Sequence, residues 1–240
     1  LFVGVADISV YDAFTGDAEK LFLISASRFP RTISLVLAGI GMSTSGLIMQ
    51  QLTRNKFVSP TTAGSLDAAQ LGLLLALILL PSAGAFMKGG FAFVFTFAAS
   101  LGFLKIVDSI RIRNVIFVPL VGLMFGAILN SVATFFAVNL NIVQDVNAWM
   151  MADFSGVLSG KYEMIYFSLP AVAITYFYAN KFTLIGMGED FAKNLGLNYR
   201  FVMNLGLFCV SLTLSAIVLT AGAIPFLGLV VPNLVTMMYG

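Results

Sequence analysis

Residues 201–222 read FVMNLGLFCVSLTLSAIVLTAG and contain no acidic or basic side chain. A helix of about 20 apolar residues crosses a hydrocarbon core about 30 Å thick. This stretch therefore reads as a transmembrane helix. Similar runs stand at about 31–52, 61–81, 85–105, 114–138 and 163–180, and residues 1–5 read as the tail of a first span. The stretch AIPFLGLVVPNLVTMMYG (223–240) carries Pro225 and Pro232, which predict a broken or kinked helix entering an eighth span.

The composition agrees. The chain is 59% hydrophobic and 10% charged, against about 25% charged in soluble domains, and its mean hydropathy is +0.98. A β-barrel would alternate apolar and polar residues in short strands, and these runs do not. The expected fold is all-α and polytopic, with residues 1–240 forming one transmembrane domain of about seven to eight spans. Both ends, LFVGV and VVPNLVTMMYG, lie inside apolar stretches and read as truncated. A net charge of +2 gives nucleic acid nothing to bind. There is no histidine, and Cys209 stands alone inside an apolar run as a small buried hydrophobe. No bare transition metal and no cofactor is expected on such a chain.

Basic residues sort the loops. The 52–60, 105–113 and 181–200 loops hold Arg54, Lys56, Lys105, Arg111, Arg113, Lys181, Lys193 and Arg200, and the opposite side holds Lys20, Arg28, Arg31, Lys88 and Lys161. Short loops richer in Lys and Arg face the cytoplasm, so the first set is expected inside. The segment 186–196, GMGEDFAKNLG, is then a charged cytoplasmic island between apolar spans. Gly188 suits an N-cap. Glu189 and Asp190 suit the positive end of a helix, and Glu189 and Lys193 are spaced i,i+4. Gly196 suits the left-handed stop. Phe191, Ala192 and Leu195 are expected on one apolar face. About two turns of helix are not stable alone in water, so the island must pack on its own protein or on a partner.

The segment LIGMGEDFAKNLGLNYR (184–200) resembles the coupling segment of the iron-siderophore and vitamin B12 importer permeases of the ATP-binding-cassette class, where the pattern runs G-E-x-A-x-x-L-G. Three more stretches match that family in order: SRFPRTISLVLAGIGMSTSGLIMQQLTRNKFVSP (27–60), VQDVNAWMMADFSGV (143–157) and AGAIPFLGLVVPNLV (221–235). Lys56 stands where the family often has proline and Asn233 where it often has histidine; RNKFVSPTTAGSLDAAQLG (54–72) resembles a catecholate-siderophore branch. Family members have ten helices, and the resemblance covers the end of the first to about the eighth. It implies the transmembrane bundle of a type II importer permease in a bacterial cell membrane, carrying ferric siderophore inward by alternating access. Its implied partners are cytoplasmic ATPase subunits, an extracytoplasmic siderophore-binding protein and a second permease chain, identical or related. The coupling contact would be Gly188, Glu189, Asp190, Phe191, Ala192, Lys193, Leu195 and Gly196, within about 181–200. The family also carries heme and cobalamin, which stay open as cargo.

Other polar residues carry two readings each. Arg28 and Arg31 flank Pro30 at the outer end of the second span. They either anchor at the headgroups or, by the resemblance, dock acidic residues of the binding protein. Asp67 is an acid inside a span. It is expected near the cytoplasmic end, about two turns into its helix, facing Arg54 or Lys56 or the helix N-terminus, in a structural role. Asn114, Asn130, Ser131 and Thr134 lie on the fifth span. They either bond between helices or line the translocation pathway that the family places beside this helix, with DSIRIRN (108–114) as the inner gate. Small residues in GIGMSTSG (39–46) and GLMFG (122–126) are expected to let helices approach closely. GMSTSG (41–46) has the glycine spacing of a phosphate loop, but Leu47 and Ile48 follow where Lys and Ser/Thr are required. Two rivals remain: an ion-coupled secondary transporter, for which Asp67 is the one core acid, and an intramembrane enzyme, for which no histidine pair exists. Non-catalytic transport is the expected role.

Overall fold

The computed structural model describes residues 18–110 and 115–239. Among these there is no strand, only an isolated bridge between Met151 and Ala223. Among the same residues, four helices are long and apolar enough to cross a membrane: α1 (Ala18–Thr53), α3 (Ala85–Ser109), α4 (Phe117–Asn139) and α9 (Tyr199–Ala221). Three shorter apolar helices accompany them: α2 (Ser65–Leu79), α6 (Glu163–Phe177) and α10 (Leu227–Tyr239). The remaining short helices are α5 (Val143–Met150), α7 (Ala179–Gly186) and α8 (Glu189–Asn194).

Helix α9 is the hub. It packs against α1, α3 and α6, and Leu207, Val210, Leu214 and Ile217 on it are at most 1% exposed. Helix α4 is the opposite case. It packs mainly on α2 and leaves Met124, Ile128 and Phe135 more than 60% exposed. In a bilayer such a face meets lipid or another chain at no cost, because lipid tails are as apolar as leucine.

The expected span 61–81 is not one helix. α2 begins only at Ser65, and residues 54–64 are irregular. This segment runs alongside the first half of α4. The Asn55 amide donates to the Val115 carbonyl (2.8 Å). A methyl at Gly122 would collide with the Thr62 carbonyl oxygen, and one at Gly126 would lie 3.0 Å from the Gly64 Cα. Nine residues separate Phe117 from Gly126. At 1.5 Å per residue that is about 14 Å, so α2 starts level with the middle turns of α4 rather than with its end. Irregular backbone is tolerated at that depth only where it is covered and bonded. Here Ser59 and Thr62 bond each other's backbone amides, and the Gln50 amide donates to the Lys56 carbonyl (3.0 Å). The small residues of 122–126 thus admit the irregular segment and the first turn of α2. Gly46 admits the backbone of Gly228, whereas Gly39 has nothing within 4 Å.

The other expected spans shift by a few residues. The stretch about 163–180 is a tight 3-10 turn (Glu163–Phe167) leading into helix Ser168–Phe177. Between α4 and α6, residues 147–160 are helical only to Met150. Beyond α9 the chain breaks at Gly222–Phe226 and re-enters as α10, which holds Pro232 in its interior.

Candidate functional site

The island forms α8. Gly188 precedes it at φ 126°, where a side chain would be strained, and offers no side-chain cap. The helix ends in a double closure: the Gly196 amide donates to the Lys193 carbonyl (2.9 Å) and the Leu197 amide to the Ala192 carbonyl (3.0 Å). Gly196 sits at φ 76°. This is the Schellman arrangement, in which glycine at the left-handed position satisfies the last carbonyls. Lys193 Nζ lies 2.8 Å from a Glu189 carboxylate oxygen and holds that carboxyl below the usual glutamate range.

The expected single apolar face is divided. Ala192 is fully buried against the protein, whereas Phe191 is 43% and Leu195 56% exposed, and Met187 just before the helix is exposed as well. Helix α8 packs on α7 and α9 through its small residue and turns its large apolar side chains outward. Asp190 is exposed as well.

A second site lies between α2 and α4. Asp67 is the third residue of α2, in its first turn, and its partner is neither Arg54 nor Lys56. The Asn130 amide nitrogen donates to Asp67 Oδ1 (3.2 Å), and Thr134 Oγ1 donates to Asn130 Oδ1 (3.1 Å). Of the expected settings, the structure shows the helix N-terminus and not the Arg54 or Lys56 pairing: Asp67 lies in the first turn of α2, beside the middle turns of α4. A methyl at Gly126 would lie 2.5 Å from Asp67 Oδ2, so the missing side chain there makes room for the acid. Ser131 Oγ donates to the Ala127 carbonyl (2.7 Å). Asn130, Ser131, Thr134, Phe135, Val138 and Asn139 line one shallow open groove on α4. Asn114 lies outside the described residues, as does most of the 108–114 loop.

At the opposite end, Arg31 forks onto backbone. Its Nε donates to the Phe154 carbonyl (3.0 Å) and one terminal nitrogen to the Ser155 carbonyl (3.1 Å). Asp153 accepts from the Ser155 hydroxyl and amide, which hold its carboxyl below the usual range. Arg31 thus braces the loop at 153–155, a contact that spacing could not reveal. Arg28 is half-buried nearby in chain order, at the end of the π-turn Ile24–Arg28 within α1.

The whole chain, residues 1–240, matches the FecCD transport family. The chain belongs to that family. It is 51% identical over 240 residues to the petrobactin import system permease protein YclN of Bacillus subtilis (strain 168), covering all of this chain and 76% of the relative. It is 47% identical over 223 residues to the ferric-anguibactin transport system permease protein FatD of Vibrio anguillarum, covering 92% of this chain and 71% of the relative. A vitamin B12 import system permease protein, BtuC of Yersinia pestis, is 27% identical over 231 residues, covering 91% of this chain and 65% of the relative. A solved metal-chelate type ABC transporter in an inward-facing conformation superposes with a TM-score of 0.79 at 21% identity, covering 100% of this chain and 76% of that one. That likeness shows the fold, an all-helical bundle, and the family makes the chain a transport permease.

Within this FecCD chain, the two residues noted as departures from the family pattern meet. Asn233 Nδ2 donates to the Lys56 carbonyl (3.0 Å) and to the Leu229 carbonyl (2.8 Å). The Lys56 carbonyl, already bonded by Gln50, ties α10 to the irregular segment before α2. Sequence reasoning missed this tie, because the two residues lie 177 positions apart.

Proposed function

We propose that this FecCD chain is the permease subunit of an ATP-driven importer of ferric siderophore in a bacterial cell membrane, working by alternating access. The observation that carries the reading is the divided surface of α8: Ala192 is buried on the protein while Phe191 and Leu195 stand bare. A six-residue helix fixed by a Schellman stop and an ion pair, with exposed large apolar residues, is a rigid knob for a cleft in another protein. Among the described residues nothing covers it. A cytoplasmic ATPase subunit is that protein in our reading. Nucleotide-driven closure of two such subunits would push α8, and the push would pass to α9 and α1 as a rigid-body tilt. No covalent chemistry falls to this chain. Siderophore is favoured over heme or cobalamin because the relatives at 51% and 47% identity are named for petrobactin and ferric anguibactin, whereas the one named for vitamin B12 stands at 27%.

The polar groove on α4 is assigned to the pathway, between this chain and a second permease chain. The Arg31-braced loop at 153–155 is assigned to the outer face, where a siderophore-binding protein would dock. In the reconstituted permease with its ATPase, Phe191→Asp with Leu195→Asp is expected to release the ATPase and abolish ATP-dependent uptake of radiolabelled ferric petrobactin. Both side chains are already exposed, so the permease itself should elute unchanged on size exclusion. Retained ATPase and undiminished uptake would overturn the coupling assignment.

A further inference from the structure

The hydrogen-bond chain from Asp67 to Thr134 has a direction, and that direction reaches the exposed face of α4. A carboxylate can only accept. Asp67 accepts from the Asn130 amide nitrogen, which fixes that amide with its oxygen toward Thr134. Thr134 donates its one hydroxyl proton to that oxygen, and Ser131 donates its own to the Ala127 carbonyl. A hydroxyl has one proton and two lone pairs, so both hydroxyls offer the groove lone pairs only. Behind them stands the half-buried Asp67 carboxyl, whose side-chain partner is a neutral amide; in its ionised form it carries the charge that the Asp67→Asn comparison reads. Among the described residues no lysine or arginine lines the groove; Phe135, Val138 and Asn139 complete its wall.

We infer that Asp67 determines specificity in this groove: acting through Asn130, it makes the polar strip of α4 an electronegative surface rich in acceptors. Such a strip favours N–H, O–H or ammonium groups on the organic shell of a chelate over carboxylate or phenolate oxygens. The inference rests on the reading that the groove lines the pathway. It adds that the strip's polarity is set from behind, by a residue on α2 that does not line the groove. A unit charge a few ångströms away in partly wet surroundings shifts the local balance of small cations over anions by roughly tenfold.

The test uses the full permease–ATPase complex in nanodiscs with Ser131→Cys. Cys209 is 1% exposed, and labelling of the parent complex without Ser131→Cys gives the background to be subtracted. The probes are 2-aminoethyl and 2-sulfonatoethyl methanethiosulfonate, one cationic and one anionic, with rates corrected for their reaction with a free thiol. The cation is expected to react about tenfold faster than the anion. Asp67→Asn keeps an oxygen for Asn130 and is expected to lower that ratio at least threefold while the complex assembles in normal yield. Exchanging the pair, Asp67→Asn with Asn130→Asp, restores one charge and one amide and should restore the ratio, which guards against a trivial folding defect. If the thiol introduced at position 131 reacts but its ratio ignores Asp67 in both variants, the inference is overturned and the pathway reading stands. If neither probe reaches that thiol, the pathway reading is overturned, and the inference falls with it.

Discussion

At Gly126 the missing side chain holds two helices together. A methyl there would lie 2.5 Å from Asp67 Oδ2 and 3.0 Å from the Gly64 Cα. Relief would require Asp67 to leave Asn130 or the Gly64 backbone to move away from α4. Gly126→Ala is therefore expected to cost about 1–3 kcal/mol, the usual range for overpacking, and to lower the thermal midpoint of the purified permease. Gly39→Ala, inside α1 with nothing within 4 Å, should not lower the midpoint and gains helix propensity, and equal midpoints for the two variants would refute the close approach. Residue chemistry was legible at this scale. Asp67, Asn130, Ser131 and Thr134 stand out as polar residues on apolar helices. Their contact was not legible, because Asp67 and Asn130 are 63 positions apart and meet only because α2 begins beside the middle turns of α4. Arg31 teaches the same lesson. A fork beside a proline at a helix end fits an external carboxylate as well as it fits the carbonyls of Phe154 and Ser155 that it meets.

Among the elements, α8 and the segment before α2 show where periodicity works and where it stops. The caps of α8 follow from local chemistry: a glycine before the first turn, acids in that turn, and a glycine at the left-handed stop. Substituting Gly196 by alanine forces a side chain into φ 76°, at a cost of about 1–2 kcal/mol. That variant should loosen the end of α8 and weaken ATPase co-purification, and more so than Glu189→Ala, which removes an exposed ion pair but leaves the left-handed stop in place. Retention of the ATPase by the glycine variant would mean that the Schellman stop does not set the contact. The pH sign follows from the depressed Glu189 carboxyl. A carboxyl depressed in the folded state adds stability above its unfolded pKa, about 4.3, and loses it as pH falls through the folded value. The pair therefore persists unchanged across about pH 6–8. The 61–81 run defeated the periodicity argument because its first residues, Thr61 to Gly64, are as small and uncharged as a helix interior. The signals for irregular backbone were present in Asn55, Ser59, Pro60 and Gly64. A membrane-depth composition outweighed them, although buried loops do exist there when protein covers them.

For the whole molecule, sidedness decides whether the proposed roles are compatible. The α8 knob, the Asn55–Val115 contact and the lower end of α10 must share one face if an ATPase is to push the bundle, and the Arg31-braced loop must lie on the other. The fold meets this condition. α1 runs from Arg31 at one end to Arg54 at the other, α6 and α7 return the chain from the 153–162 loop to α8, and α9 crosses back to Ala221, whose carbonyl accepts from the Asp153 amide (3.0 Å). Geometry alone fixes which ends are together, not which end is inside. The loop charges supply the expectation that the test addresses: Arg54, Lys56, Lys105, Lys181, Lys193 and Arg200 lie toward the α8 end, and basic short loops favour the cytoplasm. Two exposed positions test this with little disturbance, Asn194 on α8 and Ser159, whose backbone amide rather than side chain bonds the Ala26 carbonyl (2.9 Å). In intact cells expressing the full-length protein, a membrane-impermeant maleimide should label Ser159→Cys at once and Asn194→Cys only after permeabilisation. The reverse pattern would place α8 outside, beyond the reach of any cytoplasmic ATPase, and would remove the coupling role however well the knob is shaped for it.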